Sequence, residues 1–152
     1  MPYTDTDARQ QLLDGLAQAG DDLAQALSSL GSAYEDLDEQ QGEQLEEELF
    51  QPLRRAYGRA KRAHSEFAAR HGLPAHEFVT PGPGAPATGV KGFVEEAVEA
   101  VGRAETQLVG IQDSLMPIEV GDADLRAGLA EVRQLIEGVS QSARIFLRTF
   151  GR

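Results

Sequence analysis

The sequence lacks cysteine and tryptophan altogether, and aromatic residues make up only 6% of it. The absence of cysteine excludes disulfide bonds, thiolate nucleophiles and cysteine-ligated zinc or iron–sulfur sites. No stretch approaches the roughly 20 consecutive apolar residues that a transmembrane helix requires. The polar, acidic residues at the N-terminus do not have the pattern of a secretory signal. These features predict a soluble, cytoplasmic protein that does not bind a membrane.

The chain of 152 residues has the length of one domain, and its 41% hydrophobic residues are enough for a buried core. We therefore predict a single domain over residues 1–152. The net charge of −11 opposes binding to nucleic acid. This charge is unevenly distributed along the chain. Residues 1–53 carry 13 acidic side chains and one basic side chain, whereas residues 54–90 carry six basic and two acidic side chains.

Apolar residues recur at alternating spacings of three and four in four segments, a pattern typical of amphipathic helices. The clearest stripe lies in the third segment and comprises Val90, Val94, Ala97, Val101, Ala104, Leu108, Ile111 and Leu115. The periodicity predicts helices over residues 5–39, 43–71, 89–115 and 122–150. Thr4 and Asp122 are the predicted N-caps of the first and fourth helices. Pro52 lies inside the second helix and is predicted either to kink it or to restart it.

This regular spacing favours helices that cross at shallow angles. We predict an all-α fold, an antiparallel four-helix bundle in up-down-up-down order. Gly72 and Pro74 end the second helix, and the proline- and glycine-rich residues 73–88 form a long loop between helices two and three. Phe78 in this loop, together with Val79, is predicted to plug one end of the bundle.

Gly20 stands where the apolar stripe of the first helix calls for a large residue. A glycine inside a helix costs about 1 kcal/mol relative to alanine. One interpretation is a tolerated glycine in a chain rich in that residue. The other is a close approach of another helix, or a groove that receives a partner or a ligand.

Few residues are suited to catalysis or metal binding. The histidines lack the Glu-x-x-His spacing of di-iron bundles. Ala63-His64 resembles the first two residues of the Ala-His-x-x-Lys-Gly motif of histidine-phosphotransfer domains, but Phe67 and Ala68 stand in the places of its lysine and glycine. We predict no catalytic residue, no metal and no cofactor.

A basic island lies on the C-terminal half of the second helix. Cations at this end of a helix complement its dipole and can pair with acidic neighbouring helices. Alternatively, the island binds an acidic or phosphorylated partner. The candidate residues for such a patch are Arg54, Arg55, Arg59, Arg62, His64 and His71.

The sequence does not specify a biochemical function, and three hypotheses remain open. The leading one is a non-catalytic helical module that binds a protein partner, or a second copy of itself, in a groove between helices. Small alanine side chains in the apolar stripes would leave room for a partner helix. They are Ala56, Ala60, Ala63, Ala97 and Ala104. The first alternative is a small-molecule-binding protein or enzyme with an inter-helix pocket near Arg59, His64 or Arg144. The second is an adaptor that reads acidic or phosphorylated motifs through the basic island.

Overall fold

The computed structural model describes residues 4–82 and 89–150. The helices of this part of the chain are α1 (Asp5–Glu35), α2 (Glu39–Leu45), α3 (Gln51–Arg70), α4 (Gly89–Asp113), α5 (Met116–Glu119) and α6 (Ala123–Phe150). These residues include no strand, and they include no helix long and apolar enough to cross a membrane. The predicted all-helical fold is confirmed for the described residues. Residues 83–88 of the predicted loop lie outside them.

The chain stays helical through Pro52, because a π-helical turn (Glu46–Phe50) joins α2 to α3. In this turn the backbone N–H of Gln51 donates to the carbonyl of Glu46 instead of the usual carbonyl four residues back. The wider turn places Pro52 in the first turn of α3. A proline is tolerated there because the N–H that it lacks would be unpaired at a helix start.

Local capping groups define the ends of the long helices as expected. The Thr4 hydroxyl accepts the backbone N–H of Asp7 at 3.1 Å, and the Asp7 carboxylate accepts the backbone N–H of Thr4 at 3.1 Å. At the end of α3, Gly72 adopts a left-handed φ of 65°, and the N–H of Leu73 donates to the carbonyl of Ala68 at 2.8 Å. The predicted cap of α1 and the predicted glycine end of α3 are both confirmed.

The long helices α1 and α6 each pack against both α3 and α4. Asp22 of α1 lies 3.6 Å from Arg103 of α4, whereas Gly15, which precedes Asp22 in α1, lies beside Ile111, which follows Arg103 in α4. The two helices therefore run in opposite directions. The predicted up-down-up-down order, which makes the first and third long helices parallel, is incorrect.

The reason for this reversal is the course of the chain between α3 and α4. Residues 73–82, which we call the strap, run back along α3, so that the ring of Phe78 lies 6.2 Å from the ring of Tyr57. Tyr57 precedes the end of α3 by about 20 Å of helix. Consequently α4 begins at the opposite end of the molecule, where Val94 shares a layer of the core with Leu30 and Leu49.

One hydrophobic core joins all the long helices, and it is closely packed. The largest fully buried side chains include Phe67, Phe146, Leu23 and Leu108. A cavity lined by residues of α1, α3, α4 and α6 has a volume of only about 10 Å³, which is about the space for a single water. The alanines at which we expected a partner helix to fit are buried between the helices of the chain itself: Ala56, Ala60, Ala63, Ala97 and Ala104.

Asp122 connects the end of α3 to the start of α6. Its carboxylate accepts two hydrogen bonds from Arg70 at 2.8 Å, lies 3.1 Å from Nε2 of His71, and caps α6 by accepting the N–H of Leu125 at 2.8 Å. Burial raises the pKa of Asp122, but the hydrogen bonds from Arg70, Leu125 and His71 outweigh burial and lower the pKa to about 2. The predicted N-cap is thus also the centre of an interhelical ion-pair cluster.

We expect Asp122→Ala to lower the free energy of unfolding by about 2 kcal/mol at pH 7, because it removes both a helix cap and charged hydrogen bonds. The folded-state pKa lies below the ordinary value of 3.8. The stabilisation should therefore be complete above about pH 4 and should disappear as the pH falls towards about 2. Urea denaturation of both proteins across this range measures the difference. Asp124→Ala, an exposed acid in the same helical turn, is the control and should change stability little.

Candidate functional site in the groove between α1 and α3

The strap lies in a groove between α1 and α3, and Phe78 is its main contact. The ring of Phe78 rests directly on the backbone of α1 at Gly20, where an added Cβ atom would come within 2.5 Å of the ring. Gly20 is therefore required for this approach, and the neighbour is the strap rather than the other helix, partner or ligand that the sequence suggested. Phe78 fills the side of the helical assembly rather than an end, and Val79 is exposed. The predicted plug at one end is therefore incorrect.

Three aromatic rings surround Phe78 in edge-to-face geometry. The ring centroid of Phe78 lies 4.7 Å from that of His76, 5.4 Å from that of His64 and 6.2 Å from that of Tyr57. The interplanar angles are 85–87°. Such contacts add about 0.5–1.5 kcal/mol per pair to the burial of the ring. The groove is thus shaped around one aromatic side chain.

His64 forms the floor of this site and is 1% exposed. Its Nδ1 atom is buried and has no hydrogen-bond partner among the described residues. Burial lowers the pKa of His64, the neighbouring His76 lowers it further, and the charges of Asp14 and Asp21 act in the opposite direction. The imidazole is therefore neutral at physiological pH, because its pKa lies below the ordinary value of 6.5.

Side chains rather than backbone hydrogen bonds hold the strap. Nε2 of His76 lies 3.1 Å from Oδ1 of Asp21 on α1. Among the described residues, no backbone–backbone hydrogen bond involves residues 74–82. Beyond Leu73, whose N–H is bonded to α3 and whose side chain packs against the core, the strap therefore relies on side-chain contacts such as those of Phe78 and His76.

The structure does not bring the six residues of the predicted basic patch onto one surface. Arg54 pairs with Glu46 at 3.0 Å, Arg59 pairs with Glu131 of α6 at 2.7 Å, and His71 contacts Asp122. His64 is buried beneath the strap. Only Arg55 and Arg62 are exposed without an ion-pair partner among the described residues. Binding of an acidic partner to this patch stays a prediction.

The geometry bears on phosphotransfer, which the resemblance at Ala63-His64 raised, and on metal binding by the other histidines. A phosphate-accepting histidine must be accessible, whereas His64 is covered by Phe78. His71 and His76 contact different aspartates, Asp122 and Asp21. Among the described residues, no group of three or more histidine, aspartate or glutamate side chains has the arrangement of a metal site. The groove thus holds the aromatic ring of Phe78 beside the contact between His76 and Asp21.

Polar grooves also lie on other faces. The groove between α4 and α6 has a volume of about 360 Å³ and is lined by Glu105, Gln112, Ala130, Arg133, Gln134 and Glu137. Arg133 donates to Gln112 within it at 2.9 Å. Arg144, which we expected beside an inter-helix pocket, is exposed. Among the described residues, the buried side-chain polar atoms without a hydrogen-bond partner are Nδ1 of His64 and Nη1 of Arg59, and neither residue lines the groove between α4 and α6.

Sequence reasoning singled out Gly20, Phe78 and His64 separately but did not place them together. Gly20 interrupts an apolar stripe, and Phe78 is a large apolar residue in a polar loop. Both are signals of an unusual contact. Tyr57, His76 and Asp21 had no comparable signal, because aromatic and charged residues at helix boundaries and in loops are common.

Substitution of Gly20 by alanine tests the contact between the ring of Phe78 and the backbone of α1. Gly138→Ala, in α6, is the matched control because nothing lies within 4 Å of the added Cβ atom. The control should gain about 1 kcal/mol of stability from helix propensity. In Gly20→Ala the methyl group displaces Phe78. This should cancel the gain from helix propensity and lower the free energy of unfolding by about 1–2 kcal/mol relative to the wild-type chain. Thermal and urea denaturation report both values.

A double-mutant cycle strengthens this test. In the Phe78→Ala background nothing occupies the space above Gly20, so Gly20→Ala should there stabilise the protein as much as Gly138→Ala does. Equal effects of Gly20→Ala in the two backgrounds would show that Phe78 does not lie on Gly20 in solution.

The groove between α1 and α3 is therefore the place where the described residues combine an aromatic-binding cleft, a buried histidine and a segment held mainly by side chains. Its role must be inferred from this geometry. Comparison of the chain with protein-family models, with curated proteins and with solved structures finds no match.

Proposed function

We propose that this chain is a non-catalytic protein-interaction module and that the groove between α1 and α3 is its binding site. The observation that carries the proposal is the position of Phe78, which shows that an extended segment can occupy the groove through one aromatic side chain. The strap itself defines the chemistry of the partner segment. That segment is extended and carries an imidazole or a basic side chain two residues before an aromatic one, as His76 precedes Phe78.

The charges around the groove favour such a partner. Asp21 lies beside the position of His76 and would pair with a cation at the same place. Asp14 also lies near His64 on α1 and adds negative charge to this side of the groove. Electrostatic complementarity of this kind selects the partner and orients it more than it adds affinity.

The strap occupies the groove but is easily displaced. Phe78 is only partly buried, so its ring contributes less than the roughly 1.5–3 kcal/mol of a fully buried one, and the partly exposed pair between His76 and Asp21 contributes less than about 1 kcal/mol. A partner segment that makes the same contacts together with further ones would therefore replace the strap. This is the regime in which a protein's own segment competes with a partner for one groove.

The packed interior supports this proposal over the small-molecule alternative. A drug-sized ligand requires a cleft of about 300–1,000 Å³ that is largely enclosed and apolar. The cavity among the long helices measures only about 10 Å³, and the groove between α4 and α6 is lined by charged and amide side chains. Binding of a protein segment at the surface needs no such interior space.

We further propose that the frame of the groove is an antiparallel four-helix bundle in up-down-down-up order. Each of α1 and α6 contacts both α3 and α4, and the pairs Arg59–Glu131 and Arg70–Asp122 make α3 antiparallel to α6. In this order α3 and α4 are parallel and diagonal to each other. The strap then has to return along the whole bundle, which keeps it beside the groove.

Cross-linking tests the order of the helices. Because the chain has no cysteine, only the introduced thiols can react. Gln11 of α1 and Gly110 of α4 line one surface groove. We expect the variant Gln11→Cys with Gly110→Cys to react efficiently with a short bismaleimide. The matched variant Gln11→Cys with Lys91→Cys places the second thiol at the start of α4 and should not react within one chain. Cross-linking of the variant with Lys91→Cys, but not of the variant with Gly110→Cys, would instead support the up-down-up-down order.

Peptide binding tests the proposed function. The receptor is the full chain with His76→Ala and Phe78→Ala, whose groove is intact but whose strap cannot bind. A synthetic peptide of residues 73–82 should bind it weakly, with a Kd of the order of 1 mM or higher, because the two anchors supply at most about 4 kcal/mol. Histidine proton resonances of His64 report the binding in an NMR titration.

Two controls make the result specific. The same peptide with alanine at the position of Phe78 should not bind, and the wild-type chain should bind the intact peptide more weakly because its own strap competes. If the intact and the alanine peptides shift the His64 resonances equally, or if neither does, the groove is not a binding site for extended aromatic segments.

A further inference from the structure

His64 is unusual among the buried groups of this protein because it is titratable and lies under a removable cover. Its side chain is 1% exposed, and Nδ1 has no hydrogen-bond partner among the described residues. The ring of Phe78 lies 5.4 Å away and the ring of His76 lies 6.2 Å away. Both covering residues belong to the strap, so release of the strap would open His64 to water.

The charged and titratable groups that face His64 come from three elements. Asp14 and Asp21 lie on α1, His76 lies on the strap, and Tyr57 precedes His64 on α3. Lys61 on α3 lies over the ring of Tyr57, at 4.6 Å, rather than beside His64. Neither aspartate donates or accepts a hydrogen bond with His64, because Asp21 contacts His76 instead. A proton on His64 would therefore have no direct partner while the strap is bound.

We propose that the strap is an acid-sensitive cover of the groove: protonation of His64 releases Phe78 and opens the binding site. This inference rests on the proposed function of the groove and adds its regulation. The bound strap requires a neutral imidazole, because a buried imidazolium without a hydrogen-bond partner is strongly unfavourable. In the released state water solvates the charge.

The direction of the pH dependence follows from this difference. With the strap bound, burial and then His76 lower the pKa of His64 below its ordinary value of 6.5. With the strap released, His64 faces water and its pKa returns to about 6.5. The bound strap is therefore fully favoured above about pH 6.5 and becomes progressively less favoured as the pH falls below it, by up to tenfold per pH unit.

His76 does not act as the trigger. Its Nε2 atom lies 3.1 Å from Oδ1 of Asp21, so His76 has a direct polar partner in the closed state, which Nδ1 of His64 lacks. Its position beside His64 lowers the pKa of His64. His76→Gln should accordingly weaken binding of the strap in the groove at every pH, while acid should still release the strap.

Fluorine NMR of the full chain measures release directly. All six phenylalanines are replaced by 4-fluorophenylalanine, and Phe78→Leu identifies the resonance of Phe78. Between pH 8 and pH 5 we expect the ratio of bound to released Phe78 to fall by about tenfold. His64→Gln, which is polar but cannot be protonated, should keep the same ratio over this range. Circular dichroism at each pH confirms that the helices persist.

His64→Leu is the second variant in case glutamine at this buried position lowers stability, and it should likewise abolish the pH response. An unchanged Phe78 resonance in the wild-type chain would overturn the proposal. The same loss of bound Phe78 in His64→Gln and His64→Leu as in the wild type would also overturn it. Peptide binding to the strap-deficient receptor at pH 7.5 is independent of this result. Acid release without peptide binding would remove only the proposed function, and peptide binding without acid release would remove only the regulation.

Discussion

The contact of Phe78 with the backbone of α1 at Gly20 sets the position of the strap in the groove between α1 and α3. Because Gly20 has no side chain, the phenylalanine ring reaches the surface of the helix and holds the strap beside α3. The chain therefore returns along the length of α3 before α4 begins. α4 then runs opposite to α1, and the hydrophobic core that the long helices share holds it in that direction.

The same contact imposes an unfavourable environment on His64. A buried polar atom without a partner costs about 1–3 kcal/mol, and leucine at this position would avoid that cost. The cost exists only while the strap covers the groove, because water can reach His64 when the strap is absent. The structure thus couples the charge of one side chain to the position of a segment held by Phe78 and His76, and this coupling links the groove to a response to acid.

The charges of the protein serve mainly to connect its helices. Arg59 and Arg70 of α3 pair with Glu131 and Asp122 of α6, and Arg103 of α4 lies beside Asp22 of α1. Of the residues predicted as a docking patch, Arg59 and His71 therefore contact acidic residues in or next to α6. The acidic side of the groove between α1 and α3 is left for a cationic segment, and this favours a partner with the opposite charge from the one that the island would bind.

The sequence by itself determined the helices, because burial of one side of a helix leaves a period that can be read without knowing the partner. It also determined the ends at Thr4, Gly72 and Asp122, because caps form between residues close in sequence. Only the tertiary structure decided the direction of α4, the covering of His64 and the role of Gly20. Each of these depends on a contact between α1, α3 and the strap, and periodicity records that a residue is buried without recording what buries it.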